Sequence, residues 1–377
     1  MIRPIQSAEP RLRVLVTGGA GYVGSHACKA LHAAGFDPIT YDNLSSGHRW
    51  AVRWGALEIG DILDVARLAR VMSAWRPAAV IHFAAKALVG ESMRSPDLYW
   101  RINTAGSLAL LQAMQFANVN VIVFSSTCAV YGVPRSTPID EESNKSPINA
   151  YGASKLAAER MILDFARGYD LKWACLRYFN AAGADPDGEI GEAREVETHV
   201  VPLALDAALG MGPPITVFGS DYPTPDGTAV RDYVHVSDLA DAHVSAVRHL
   251  LAGGANLELN LGTGVGHSVA EVLDTVERVT KKPVPHRAGC RRLGDPPELI
   301  ADPRRAKRSL GFEPQRSRLD TIVRDAWRWR MSTTGASRQV IAHDQHELYA
   351  PLALAPGAFA IPNGLPAIFA DRVGTPS

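Results

Sequence analysis

Tyr151 and Lys155 stand four residues apart in the run YGASK, a spacing that sets a phenol and an ammonium one above the other on a single helix face. Tyrosine ordinarily ionises near pH ~10. A fixed positive charge beside it favours the tyrosinate and makes a base that works nearer neutrality. Far upstream, Gly18, Gly21 and Gly24 follow the apolar run Val14-Leu15-Val16. Three glycines so placed between a strand and a helix let the chain turn tightly and bring helix-opening amides, those of Tyr22 and Val23 among them, onto a pyrophosphate. Asp42 lies eighteen residues past Gly24, where an acid can bond the adenosine ribose of NAD and repel the 2′-phosphate of NADP. The plainer readings are glycines serving only a turn, and Asp42 serving only the turn Asp42-Asn43-Leu44-Ser45-Ser46-Gly47.

These groups need a scaffold, and the chain alternates short apolar runs with longer helix-like stretches up to about residue 177. Strands are expected at 14–17, 38–41, 79–83, 121–125 and 173–178, and helices at 25–34, 65–75, 107–117 and 151–169. Nearly continuous hydrophobicity in the strands is the mark of a parallel sheet covered on both faces. The expected fold is therefore α/β, a Rossmann-type doubly wound parallel sheet with a smaller C-terminal substrate-binding lobe. The division reads as an N-terminal extension over 1–12, an NAD-binding domain over 13–178, a lobe over 179–330 and a tail over 331–377. The lobe is rich in Pro and Gly, with helices expected at 201–209, 236–251 and 268–279. The strand expected at 257–261 and the helix at 236–251 are candidates to return to the first domain. The tail, with its repeated Ala, Pro and Gly, reads as disordered or as a docking segment.

Composition excludes several functions. Lys plus Arg and Asp plus Glu balance at 39 each in 377 residues, so charge gives no sign of a nucleic-acid or membrane-surface partner. Cys28, Cys128, Cys175 and Cys290 are too scattered for a zinc site or a disulfide framework, and no metal is expected. No apolar run approaches the ~18 residues that span a bilayer, nor does the N-terminus carry a leader's apolar stretch. The expected setting is cytoplasmic, with reduced thiols.

Read together, VTGGAGYVGSH from Val16, YDNLSSG from Tyr41, IHFAA from Ile81, VGES from Val89, FSSTCAVYG from Phe124, YGASK, LRYFNAAGA from Leu176, VRDYVHVSDLADAH from Val230 and NLGTGVGHSV from Asn260 resemble the extended short-chain dehydrogenase/reductase family. Within it they resemble the nucleotide-sugar 4-epimerases that interconvert UDP-galactose and UDP-glucose. The resemblance covers residues 13–330. It implies transient oxidation at the sugar C4 with retained NAD, direct deprotonation there being barred by an unstabilised carbanion.

It also implies roles. Tyr151 is the acid/base at the 4-hydroxyl, Lys155 holds the nicotinamide ribose, and Thr127 bonds the same sugar oxygen. Asn43, Asp61 and Ile62 belong to the adenine side, Phe83 and Ala84 line the dinucleotide cleft, and Asn103, Ser125 and Phe179 lie along the nicotinamide. Asn180, His199, Phe218, Arg231, Tyr233, Arg292 and Asp295 fall on the UDP side. Leu299 stands where some members carry a bulky tyrosine, which leaves room for an N-acetyl group at C2. Plainer readings make Arg231-Asp232 a local ion pair and Arg291-Arg292 with Asp295 a surface turn. A UDP-xylose/UDP-arabinose 4-epimerase would use the same residues. A 4,6-dehydratase would follow Thr127 with an Asp-Glu pair, whereas Cys128-Ala129 follows here. A non-catalytic NAD(H)-binding regulator is the reading from a different class. A homodimer pairing through the helices at 107–117 and 151–169 is the family-level expectation.

Overall fold

The computed structural model describes residues 11–292 and 295–334. Most of the expected N-terminal extension and the tail beyond 334 lie outside the described residues.

Strands β1 (Arg13–Thr17), β2 (Asp37–Asp42), β3 (Ala56–Ile59), β4 (Ala79–His82), β5 (Val121–Thr127) and β6 (Lys172–Tyr178) alternate with helices α1 (Tyr22–Ala33), α2 (Val65–Trp75), α3 (Val89–Arg94), α4 (Pro96–Tyr99), α5 (Gly106–Phe116) and α6 (Ala150–Tyr169). Beyond them come β7 (Asn180–Ala182), α7 (Val200–Ala208), β8 (Ile215–Phe218), β9 (Val230–Arg231), β10 (Tyr233–His235), α8 (Val236–Leu251), β11 (Leu257–Leu261), β12 (His267–Ser268), α9 (Val269–Thr280), β13 (His286–Gly289), β14 (Glu298–Leu299), α10 (Arg304–Leu310) and α11 (Leu319–Thr334). The large sheet runs β11-β6-β5-β4-β1-β2-β3, every pairing parallel. Strand order reverses at β1, with β2 on one side and β4 on the other, so the crevice at the carboxyl ends of β1 and β4 is where a doubly wound sheet takes its ligand.

Both faces are covered, as the unbroken apolar strands require. Val14, Val16, Ile81, Val123 and Leu176 face α1 and α8 in one core, while Leu15, Ile39, Val80, Ile122 and Phe124 face α2, α5 and α6 in the other. Three elements from beyond residue 178 complete this layer: β11 pairs with β6, Leu259 opposite Leu176, α8 packs on α1, and α10 packs on β11 and α8 with Ala306 in the same core. A separate core is formed by Val201 and Leu205 of α7, Val272 and Val276 of α9, and Ile322 and Val323 of α11. The helix α11 runs through residue 334, so the change of texture at 331 falls inside its last turn.

Three helices are capped by their own sequence. Asn149 accepts the Gly152 amide at 2.8 Å to open α6, Asp64 does the same for α2, and Ser268 with Glu271 forms a reciprocal capping box on α9. Sequence reading missed β3, an edge strand of four half-buried or exposed residues, and the π-turned stretch Trp100–Ala105 that carries Asn103. No helix among the described residues is long and apolar enough to cross a membrane.

Replacing Leu259, fully buried in β11, by Ala should lower stability by ~2–5 kcal/mol, measured by urea unfolding with the slope unchanged. A loss under ~0.5 kcal/mol would mean that β11 is not integral to the first layer.

Candidate active site

At the crevice, Gly18 takes φ +74°, and a Cβ there would stand 2.6 Å from the Ala84 nitrogen; one on Gly24 would stand 2.2 Å from the Gly18 carbonyl oxygen. Only glycine fits a chain that passes so close to itself. Gly21 is less crowded, its added Cβ meeting the same carbonyl at 3.3 Å. Phe83 and Ala84 both donate their amides to the Thr17 carbonyl, at 2.8 and 3.0 Å, which seats the end of β4 against the glycine turn. The first turn of α1 has no side-chain cap, so the Tyr22 and Val23 amides remain for an anion. Tyr22 itself donates its hydroxyl to the Gly183 carbonyl at 2.6 Å.

Asp42, the acid expected on the adenosine side, is buried. Its carboxylate accepts the Leu44 amide at 2.8 Å and the Ala20 amide at 3.0 Å; burial raises its pKa while those two amides oppose. Asn43 donates to the Asp61 carboxylate at 3.1 Å, and Ile62 is buried against Gly106. Glycines that leave no room for a side chain, an uncapped helix start and a carboxylate without a cation partner fit a dinucleotide, and NAD rather than its 2′-phosphorylated form.

The residues expected to be catalytic gather at the end of β5 and the start of α6. Tyr151 and Lys155 share the inner face of α6, and the Thr127 hydroxyl faces the Tyr151 phenol. Lys155 Nζ donates to the Ser125 carbonyl at 2.8 Å and lies 4.7 Å from the centre of the Phe124 ring. Burial pulls its pKa down to about 7, against the opposing pull of the Glu159 carboxylate.

One expectation needs correction here. Tyr151 is not biased towards ionisation: burial lifts its pKa above the ordinary value, Tyr178 adds to the rise, and the Thr127 hydrogen bond only partly offsets it. The sequence weighed the nearby charge without the desolvation that comes with sharing a buried face. Ser125 bonds the Tyr178 hydroxyl at 2.8 Å. Asn103 is buried with its amide bonded to Lys86 O at 3.0 Å, to the Ser154 hydroxyl at 3.0 Å and from the Lys86 amide at 2.8 Å, so it braces the loop after β4. Phe179 is buried beside Cys128, Tyr131 and Leu156, with Leu299 half-buried on the same cluster.

On the other side of the crevice, short pairings hold the expected nucleotide residues. Arg231 lies in register with Leu299 and Tyr233 with Asn180. Arg231 bonds the Asp295 carboxylate, not the neighbouring Asp232, whose buried carboxylate takes the Thr263, Gly264 and Ala301 amides. The local ion pair weighed from sequence does not form. Arg292 lies 4.1 Å over the Phe218 ring, and with Tyr222, Arg291, Asp295 and the two prolines after it lines a cleft of about 380 Å³. Arg291 is held by Asp221, while Arg292 stacks on Phe218. Tyr233 is buried and its phenol is pushed up to about 12 by that burial.

The sequence matches the NAD dependent epimerase/dehydratase family over residues 14–262. The chain belongs to that family. It is 52% identical over 316 residues to the UDP-glucose 4-epimerase of Rhizobium leguminosarum bv. trifolii, covering 84% of this chain and 96% of that one. The structure of UDP-glucose 4-epimerase from Brucella ovis in complex with NAD superposes with a TM-score of 0.82 at 52% identity, covering 84% of this chain and 97% of that one. That of UDP-glucose-4-epimerase from Stenotrophomonas maltophila, with bound NAD and formylated UDP-arabinopyranose, gives 0.84 at 41% identity, covering 86% and 100%.

Within this epimerase-family site the structure adds residues that sequence reading did not select. Arg194 acts electrostatically on both Tyr151 and Tyr178. It bonds Glu192 at 2.6 Å, and His199 bonds the same carboxylate at 2.8 Å. Nothing in the spacing of GEAREVETH signals this, because the loop brings the groups together only when folded. His199 thus faces Glu192 first. Burial pulls its pKa down, but the Glu192 charge and hydrogen bond prevail and raise it; burial works against Glu192 too, and His199 and Arg194 carry it below its ordinary value.

The sign of the linkage follows. The raised histidine contributes stability fully present below its unfolded pKa and lost as pH rises through the folded one. The lowered carboxylate contributes stability present above its unfolded pKa and lost as pH falls through the folded one. The melting-temperature gap between the parent protein and His199→Asn should therefore be widest at about pH 5–6 and close towards pH ~8. A gap that stays constant across that range would show that the pair carries no charge-dependent stability.

Proposed function

We propose that this epimerase-family chain interconverts UDP-galactose and UDP-glucose. The observation that carries the reading is Tyr151 and Lys155 on one buried face of α6, opposite Thr127, at the rim of a crevice shaped for a dinucleotide. Tyr151 Oη takes the proton of the sugar 4-hydroxyl and later returns it, Thr127 bonds the same sugar oxygen, and Lys155 holds the nicotinamide ribose. Bound NAD supplies a reversible two-electron acceptor for the C4 carbon. Arg231 and Arg292 hold the diphosphate, with Asp295 orienting Arg231, while Phe218 and Tyr233 border the uracil and Asn180 and His199 border the nucleotide. Gripping the nucleotide firmly and the hexose loosely lets the sugar present either face to Tyr151.

Leu299, partly buried on the cluster of Cys128 and Phe179, stands where some relatives of this kind carry a bulkier tyrosine, and on that ground we read the enzyme as also accepting UDP-N-acetylhexosamines. The formylated UDP-arabinopyranose bound to the Stenotrophomonas relative keeps a UDP-pentose 4-epimerase as the second reading. The protein would work in the cytoplasm, in galactose metabolism.

Purified protein without added NAD, given UDP-galactose, UDP-N-acetylgalactosamine and UDP-xylose in parallel, should convert UDP-galactose to UDP-glucose. Tyr151→Phe should lose at least ~10²-fold in kcat. Leu299→Tyr should suppress the N-acetylated lane alone. No conversion of UDP-galactose even with NAD added would overturn the reading, and conversion of UDP-xylose alone would transfer it to pentoses.

The same reading makes the enzyme a homodimer. Trp100 is exposed on the π-turned stretch, Leu108 and Phe116 on α5 and Met93 on α3, and exposed apolar residues of this kind suit a second copy. Light scattering should give twice the chain mass, and Leu108→Asp should reduce it to one; a monomeric parent protein would contradict this.

A further inference from the structure

Tyr151 leaves the backbone in the first turn of α6, where the main chain is fixed. A Cβ on the next residue, Gly152, would stand 2.4 Å from the Ala129 carbonyl oxygen in the turn after Thr127, and the Gly152 amide is bonded to Asn149 at 2.8 Å. A tyrosine side chain still has two torsions of its own, and neither of these contacts limits them. The ring of Tyr151 is met instead by a second ring. Tyr99, the last residue of α4, has its ring centroid 6.3 Å away and its plane turned by 79°, the edge-to-face geometry in which an aromatic pair attracts.

Tyr99 is itself held at its far end. It is fully buried. Its Oη accepts the Leu88 amide at 2.9 Å and lies 2.7 Å from the Leu88 carbonyl oxygen and 2.8 Å from Glu91 Oε2, which compete for its one proton. The hydroxyl is thus pegged to the segment that leads from β4 into α3, and the ring is presented to Tyr151. We infer that Tyr99 is a positioning residue for Tyr151: it fixes the plane of the phenol, so that Tyr151 Oη keeps one place while the sugar changes the face it presents. This rests on the proposed function and acts through Tyr151 alone.

The chemistry makes that demand in a particular way. A hexose gripped by its nucleotide and free at its far end brings its 4-oxygen to the base in two orientations, so the base has to be the stationary partner. Oη lies at the outer end of the ring, where a small rotation about Cα–Cβ becomes a large displacement, and misplacing a reacting group by about 1 Å costs on the order of 10²-fold in rate. Thr127 faces the phenol oxygen, but it also has to serve the sugar. The constraint on the ring comes from Tyr99.

Two substitutions separate the ring from its peg. On UDP-galactose, Tyr99→Leu, which removes the ring, should lower kcat at least ~tenfold with KM unchanged, because the nucleotide is gripped on the other side of the crevice. Tyr99→Phe keeps the ring and should hold kcat near the parent's, while melting lower because the Leu88 amide is stranded. Leu259→Ala, destabilised in β11, should leave kcat unchanged at a temperature where it is folded. Should Tyr99→Leu fail to fold, Tyr99→Met fills the site with a flexible chain and should show the same loss of kcat.

Nuclear magnetic resonance of protein with isotope-labelled tyrosine ε carbons reads the constraint without turnover. The two ε carbons of Tyr151, assigned by their loss in Tyr151→Phe, should give separate signals in the parent and in Tyr99→Phe, the mark of a slowly flipping ring, and one averaged signal in Tyr99→Leu or Tyr99→Met. An averaged Tyr151 signal in the parent protein, or a parental kcat in a folded variant without the Tyr99 ring, would overturn the assignment. If UDP-galactose is not a substrate, the ring signals still decide the matter.

Discussion

The fold is organised around a lysine that should not be comfortable where it is. Lys155 is 3% exposed, between a carbonyl and an aromatic ring, and an ammonium there has exchanged water for very little. What makes the arrangement tenable is an alternation of charge that leads outwards from it: Glu159 on the same helix, Arg177 on β6, Glu258 on β11 and Lys145 nearer the surface. Each member offsets the burial of the one before, and they join α6, β6, β11 and the loop before α6. The strand from beyond residue 178 that completes the large sheet is also the strand that brings Glu258. The return of β11 thus adds an ion pair to this chain of charge as well as packing.

The parallel sheet supplies the second constraint. With every strand pointing the same way, the ends of β1, β4, β5 and β6 open on one edge, and everything that must meet a dinucleotide has to be reached from there. The glycine turn after β1 and Ala84 after β4 approach to a distance no side chain could tolerate. The two strands flanking the reversal of order can then deliver Asp42, Phe83 and the opening turn of α1 around one crevice. The site is a consequence of direction and close approach, not of any single residue's affinity.

Much of this was legible because the signals were local. Glycine spacing, an acid at the end of the second strand and a tyrosine four residues before a lysine are set by one turn or one helix, and the structure places each on the element that its neighbours in sequence imply. What was not legible depends on burial or on distant segments. The rise in the Tyr151 pKa comes from desolvation that appears only when α6 is covered. The choice of Asp295 over Asp232 as the partner of Arg231 is made by Asp232 being used up by three amides. Arg194 and Glu192 meet through a loop without periodicity, and β3 is too short and too exposed to stand out. Glu159 did leave a trace, a charged residue on the apolar side of a helix at the spacing of the two residues before it.

The division of labour between the two cores bears on how a sugar could turn between them. Tyr151, Thr127 and Lys155 belong to the large layer, held by α6 and β5 and braced by buried ion pairs. Arg231, Leu299 and Asp295 come from the small β12-β9-β14 sheet and the segment leading into it, with Phe218 and Arg292 stacked nearby. Ile139 ties the two, bonded to Ile300 and Asp302 across the boundary. The strongest cations on the second side, Arg231 and Arg292, suit a diphosphate, while the first side presents hydroxyl groups and a phenol. A ligand that spans them would be fixed by its phosphates and would meet, at its other end, only groups that exchange a proton. That asymmetry allows rotation of the far end without release of the near one.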